Sequence, residues 1–223
     1  MKDMNTLQQF IYYFSHNGTY VLQQFITHFL ISIYGVLLAS LIGIPLGIMI
    51  AKKGKLKKYI LGAANVLQTI PSLAMISILM LGLGLGQKTV IATIFLYSLL
   101  PIISNTYTGL KSVDVNLVDA AKGMGMTRKQ RMILVELPLS VSVIIAGVRN
   151  ALVVAIGITA IGAFVGGGGL GDIIIRGTNA TNGGAIILAG ALPTALMAIL
   201  SDLIMGGIQK FITPKGYRVK RSQ

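Results

Sequence analysis

Cysteine and tryptophan are absent from the 223 residues, and only six residues are acidic. Without cysteine there is no disulfide, no thiol nucleophile and no thiolate zinc site. With only two histidines, no metal-ligating set is expected. No Gly-Lys-Ser/Thr phosphate loop occurs, so the chain is expected to hold no catalytic residue and no cofactor of its own. Gly166, Gly168 and Gly171 do satisfy G-x-G-x-x-G, but no βαβ pattern surrounds them, which removes the dinucleotide-binding reading.

Apolar residues are plentiful. They make up 54% of the chain against 11% charged, with a mean hydropathy of +0.78, a balance that belongs in a membrane. The net charge of +13 does not point to nucleic acid, because the basic residues lie between apolar runs and are not interleaved with aromatics. No compact apolar core with a cleavage site follows Lys2 and Asp3, so insertion is expected to use internal spans.

The pattern predicts an all-α, polytopic membrane protein with about five transmembrane helices in one domain, residues 1–223. In segment 1–26, Leu7, Phe10, Ile11 and Phe14 have helical spacing and Asn17-Gly18 reads as a stop. That helix either lies on the membrane surface or packs on the bundle. The first span is expected over 27–51, with Gly43 and Gly47 on a small-residue face around Pro45. The second, 59–86, is longer than a straight crossing needs, so it must tilt, bend or begin in the interface, and Pro71 offers the bend. The third covers 89–110, the fourth 141–165 with Arg149 and Asn150 inside, and the fifth 185–208. Gly166 to Gly171, with Asp172 and Arg176, reads as an exit loop, and 209–223 as a basic tail. His16 and His28 are expected at the outer surface.

Charge orients the spans. Lys52, Lys53, Lys55, Lys57 and Lys58 share one side with Lys111, Lys122, Arg128, Lys129 and Arg131, and with Lys210, Lys215, Arg218, Lys220 and Arg221. The other side holds only Lys2, Lys88 and Arg176. The N-terminus is therefore expected outside, and the central loop 111–136 and the tail in the cytoplasm.

That loop is the one long charged segment between apolar regions. It reads as two short helices broken at Gly125, the second opened by a Thr127/Gln130 capping box. Small residues at Ala120, Ala121 and Gly123 suit close approach to a partner. In-span polar groups must face protein or water; Gln68, Thr69, Ser104, Asn105, Tyr107 and Asn150 are the candidates for lining a pathway. Arg149 either borders that pathway or pairs structurally with a partner chain, and the structural role is favoured.

Asp119-Ala120-Ala121, three residues, Gly125, nine residues, Val135, one residue and Leu137-Pro138 resemble the cytoplasmic coupling loop of ABC-importer permeases. Asp replaces the family's Glu and Val its Ile. More widely, QTIPSLA (68–74), LYSLLPIISNTYTGLKSVD (96–114), GMGMTRKQR (123–131), ELPLSVSVIIAGVR (136–149) and GGGGLGD (166–172) look like the permeases for glycine betaine, carnitine and choline. The resemblance implies a bacterial cell-membrane importer of osmoprotectants. Its partners would be an ABC ATPase dimer carrying ATP and Mg, an extracellular substrate-binding protein, a second permease chain, identical or sister, and membrane lipid. The charge count puts Gly166, Gly168, Gly169 and Gly171 at the outer end of the fourth span, either as a tight loop contacting that binding protein or as a plain helix-ending turn. Tryptophan is the best aromatic for caging a quaternary ammonium, so its absence assigns high-affinity recognition to the binding protein, expected as a separate polypeptide. Related methionine permeases share the loop pattern. An ion-coupled transporter would need embedded carboxylates, and only Asp202 lies well inside a span.

Overall fold

A computed structural model describes residues 5–213, and every regular element among them is helical. Lys2, Lys215, Arg218, Lys220 and Arg221, counted above, lie outside them. The long helices are α1 (Thr6–Lys52), α4 (Gln87–Lys111), α7 (Leu137–Gly162) and α9 (Gly184–Ile212). Each is apolar and long enough to cross a bilayer, α7 as part of the helical run Arg128–Val165. Between α1 and α4 lie α2 (Lys57–Thr69) and α3 (Ser72–Leu83). The central loop carries α5 (Val115–Gly123) and α6 (Arg128–Arg131), and α8 (Leu170–Thr178) precedes α9.

Lipid tails are as apolar as leucine, so helices associate in a membrane through close contact, and small residues permit it. A Cβ on Gly35, Gly43 or Gly47 of α1 would meet Ile94, Ile102 and Thr106 of α4 at 2.4, 2.9 and 2.5 Å. The contacts climb both helices in equal steps, so α1 and α4 run parallel. On the other side of α4, Gly109 meets Val143, Gly147 meets Asn105 and Gly162 meets Val90. There one number rises as the other falls, so α7 is antiparallel to α4.

Parallel α1 and α4 require the chain to recross between them. The pair α2 and α3, bent by 99°, therefore makes one crossing, and the crossings number five, as expected. The bend falls at Pro71, whose ring forces the preceding Ile70 into extended backbone. A second proline completes the elbow. Pro101 has no N–H to offer the Tyr97 carbonyl one turn back, and Gln68 Nε2 donates to that oxygen at 2.8 Å. The Tyr97 hydroxyl in turn donates to the Ile70 carbonyl. The elbow and the proline turn of α4 thus satisfy each other's orphaned carbonyls.

Two boundaries differ from the sequence reading. The stop at Asn17-Gly18 does not form, and α1 continues for 47 residues, about 70 Å. Asn17 Nδ2 donates to the Tyr13 carbonyl one turn back, at 3.2 Å. Glycine costs a helix interior only about 1 kcal/mol, less than the packing of Phe14, Val21 and Phe25 against the core returns. Asp172 and Arg176 stand on α8 rather than in a loop, joined at 2.8 Å one turn apart.

The α1–α4 contact yields a prediction. In Gly47→Leu the side chain meets Thr106 and, at 3.0 Å, the Ile103 carbonyl, which should destabilise the protein by about 1–3 kcal/mol. Gly18→Leu, where a Cβ meets nothing within 4 Å, should leave the melting midpoint unchanged or raised. Thermal unfolding of the purified variants in detergent checks both; equal midpoints for Gly47→Leu and wild type would remove this packing account.

Candidate functional site

The candidate residues lie at three levels of the bundle. At the end where α1 and α4 finish, Asp114 caps α5 by accepting from the Asn116 N–H at 2.9 Å. Gly125, at φ +79°, ends the helix: its N–H reaches the Lys122 carbonyl at 2.9 Å and that of Met126 reaches Ala121 at 3.1 Å, a closed C-terminal turn open to glycine. Thr127 restarts the chain through the expected capping box with Gln130. Past α6, Met132–Glu136 wind as a π turn and lead into Leu137 and Pro138 of α7 without a break. Arg131 and Glu136 bridge that turn at 2.8 Å with both side chains largely buried.

The small residues of this motif divide their work. Ala121 is buried against its own chain, 1% exposed, while Asp119, Ala120, Gly123 and Pro138 face out. Leu117, Ala120 and Met124, at helical spacing, leave an apolar strip of α5 uncovered. The loop motif alone did not mark Leu117 or Met124. Their spacing in a charged loop was the available clue.

Midway along the spans, Arg149 of α7 donates from Nε and Nη2 to both carboxylate oxygens of Asp202 on α9. The guanidinium lies over Gly206, where a Cβ would stand 3.1 Å from Nη1. The structural role favoured for Arg149 holds, but its partner is in the same chain. The pair thus engages the one carboxylate that lies well inside a span. Asn150 beside it is exposed, with no hydrogen-bond partner among the described residues.

The other pathway candidates are mostly engaged within the chain. Gln68 holds the elbow, Thr69 donates to the Val66 carbonyl at 2.7 Å, and Asn105 donates to Pro101 at 2.8 Å. Tyr107 lies toward the loop end with Lys57 Nζ 4.5 Å from its ring centre, and Ser104 is half-buried. Gln68 and Thr69 nevertheless keep exposed surface, as Asn150 does.

At the far end the four glycines do different jobs. Gly166, Gly168 and Gly169 have φ near +75°. Gly171 admits the Ala160 carbonyl, which would stand 2.1 Å from a Cβ. Gly169 and Gly171 are buried; Gly166 is exposed beside Phe164. Three side chains of α1, four residues apart, grip this segment. Tyr20 donates to Asp172 at 2.5 Å, Gln24 Oε1 accepts from the Gly169 N–H at 2.8 Å, and His28 Nδ1 accepts from the Leu170 N–H at 3.2 Å. His28 Nε2 donates to the Ile156 carbonyl at 2.9 Å.

His28 is fully buried, not interfacial as expected. Its partners are backbone groups more than a hundred residues away, including an amide in the first turn of α8 that no helical carbonyl serves. The visible clue was the row Tyr20, Gln24, His28, polar at every fourth position of an apolar helix.

Comparison with known proteins matches residues 43–215 to the family described as "Binding-protein-dependent transport system inner membrane component". The chain is 60% identical, over 95% of its length and 92% of the relative's, to the glycine betaine/carnitine/choline transport system permease protein OpuCD of Bacillus subtilis (strain 168). It is 38% identical, over 94% of its length and 96% of the relative's, to OpuCB, a permease protein named for the same system in that organism. Among solved structures, an inward-facing MetNI methionine ABC transporter superposes with a TM-score of 0.78 over 87% of this chain and 96% of that chain. At 19% identity this is a likeness of fold.

Charge reversal tests the α7–α9 lock. Arg149→Asp or Asp202→Arg alone sets like charges together in the membrane and should cut folded yield by roughly tenfold or more. The double exchange Arg149→Asp/Asp202→Arg should recover most of it. Detergent size-exclusion profiles give the readout, and a double exchange no better than the single variants would show that the pair does not hold α7 to α9.

Proposed function

The chain belongs to the family of binding-protein-dependent transport system inner membrane components, and from that membership we propose that it is the permease of an ATP-driven importer for quaternary-ammonium osmoprotectants: glycine betaine, carnitine and choline. The identity of 60% across 95% of the chain to a permease named for those three solutes carries the substrate class. The two permease proteins named for that one system favour a sister chain, rather than an identical copy, as the other half of the pathway. Basic residues concentrated at the loop end support a cytoplasmic loop and tail with the N-terminus outside.

In this reading ATP and Mg sit on a separate ATPase dimer, and this chain contributes neither nucleotide site nor catalytic residue. The ATPase takes the apolar strip of α5 around Ala120, with Asp119, Ala121, Gly123, Gly125, Leu137 and Pro138 shaping the loop behind it. Closure of the ATPase pulls on α5 and α6. The run Arg128–Val165 is one helical rod, so the pull reaches Arg149 at mid-membrane and passes through Asp202 to α9, switching access from one side to the other. The extracellular binding protein delivers solute at the glycine end, where Gly166 and Phe164 offer exposed surface and Gly168, Gly169 and Gly171 hold the turn. Gln68, Thr69, Ser104, Asn105, Tyr107 and Asn150 remain the pathway candidates, and the exposed Asn150 makes no hydrogen bond among the described residues that would compete with solute.

Uptake of labelled glycine betaine by cells lacking other carriers tests this. Unlabelled carnitine and choline should compete and methionine should not; competition by methionine alone would overturn the substrate class. Leu117→Asp/Met124→Asp puts two charges on the docking strip. It should lower uptake by roughly tenfold or more and lose co-purifying ATPase at unchanged membrane abundance. Wild-type uptake in that variant, or betaine accumulation by vesicles holding this chain alone, would refute the coupling role.

A further inference from the structure

On the loop side, α5 and α6 stand off from the bundle, leaving a cleft of about 960 Å³ beneath the last turns of α1 and α4. Eight charged side chains line it, and two pairs cancel: Lys122 with Asp119 at 2.7 Å, and Arg131 with Glu136 at 2.8 Å. Lys52, Lys111, Arg128 and Lys129 are left, and among the described residues none of the four has a carboxylate within ion-pair distance. Leu110, Val113 and Met132, all buried, form apolar wall in the same cleft.

The position is as informative as the charge. Lys52 is the last residue of α1 and Lys111 the last of α4, so the cleft opens where two adjacent spans leave the hydrocarbon. We propose that it binds the headgroup of an anionic phospholipid, the phosphodiester against the four unmatched cations and the glycerol end against Leu110 and Val113. Topology requires basic residues in such loops, but it does not require four of them to converge on one recess with an apolar wall. Cations that share a recess repel one another within the Debye length of about 8 Å, and a bound phosphodiester offsets part of that repulsion. Free phosphate would meet the charges and leave the apolar wall unused. A lipid entering from the membrane edge meets both. An acidic surface of the ATPase is the competing occupant.

The test uses the full-length chain purified in its transporter complex, with native mass spectrometry counting bound lipid. Titration with dioctanoyl phosphatidylglycerol should load the complex, whereas dioctanoyl phosphatidylcholine and inorganic phosphate at the same concentrations should not. Lys52→Gln/Lys111→Gln should weaken phosphatidylglycerol binding by about thirtyfold, each basic residue near an anionic headgroup contributing a factor of about five. Lys52→Arg/Lys111→Arg should retain it. Should the double Gln variant fail to assemble, Lys111→Gln alone decides, with a loss of about fivefold expected. Equal binding of phosphatidylcholine, equal binding of inorganic phosphate, or an unchanged affinity in the Gln variants overturns the proposal. So does loss of the ATPase subunit with phosphatidylglycerol binding intact, which assigns the cations to the protein partner.

Discussion

Close approach to α4 is the constraint on which the bundle depends. Inside a bilayer there is no hydrophobic drive between helices, so what holds them is contact distance, and contact distance is set by the smallest side chains. Gly35, Gly43 and Gly47 bring α1 onto one side of α4, and Gly147 and Gly162 bring α7 onto another. Bulky β-branched residues on α4, Val90, Ile94 and Ile102, fill the space the glycines leave. The direction of every other span follows: a parallel neighbour and an antiparallel neighbour of one helix fix where the elbow must cross and at which end each loop emerges.

Much of this was legible in the sequence because it rests on local chemistry. Pro71 offers a bend in a run too long for a straight crossing, Thr127 and Gln130 cap each other within four residues, and Gly125 takes a backbone angle other residues avoid. The misreadings concern long-range contact. Asn17-Gly18 has the form of a helix stop, and only the packing of Phe14 and Val21 against distant helices overrides it. His28 and Arg149 found partners in residues 142 and 53 positions away, where one-dimensional spacing carries no information. Gln68 stands out in the sequence as a polar group inside a span, but its bond to a carbonyl stranded by Pro101 on another helix does not.

The three levels of the bundle are joined by unlike kinds of bond. At the loop end rigidity comes from helix caps and short-range ion pairs, all local. At mid-height a single bidentate ion pair ties two spans. At the glycine end Gln24 and His28 of α1 grip backbone amides and Tyr20 grips the Asp172 carboxylate, so the hold depends on glycines that allow the turn and on one side chain beyond it.

The π turn at Met132–Glu136 has a geometric consequence. A π turn takes in one residue more than an α turn, so everything above it is rotated by about 100° relative to an uninterrupted α-helix. The azimuth of α6 and the azimuth of Arg149 are thus offset by one residue along a rod that is otherwise continuous. The same rod can present one compass direction to whatever sits below the membrane and another to the interior of the bundle, and Arg131 and Glu136, bridging the turn, hold the phase between them.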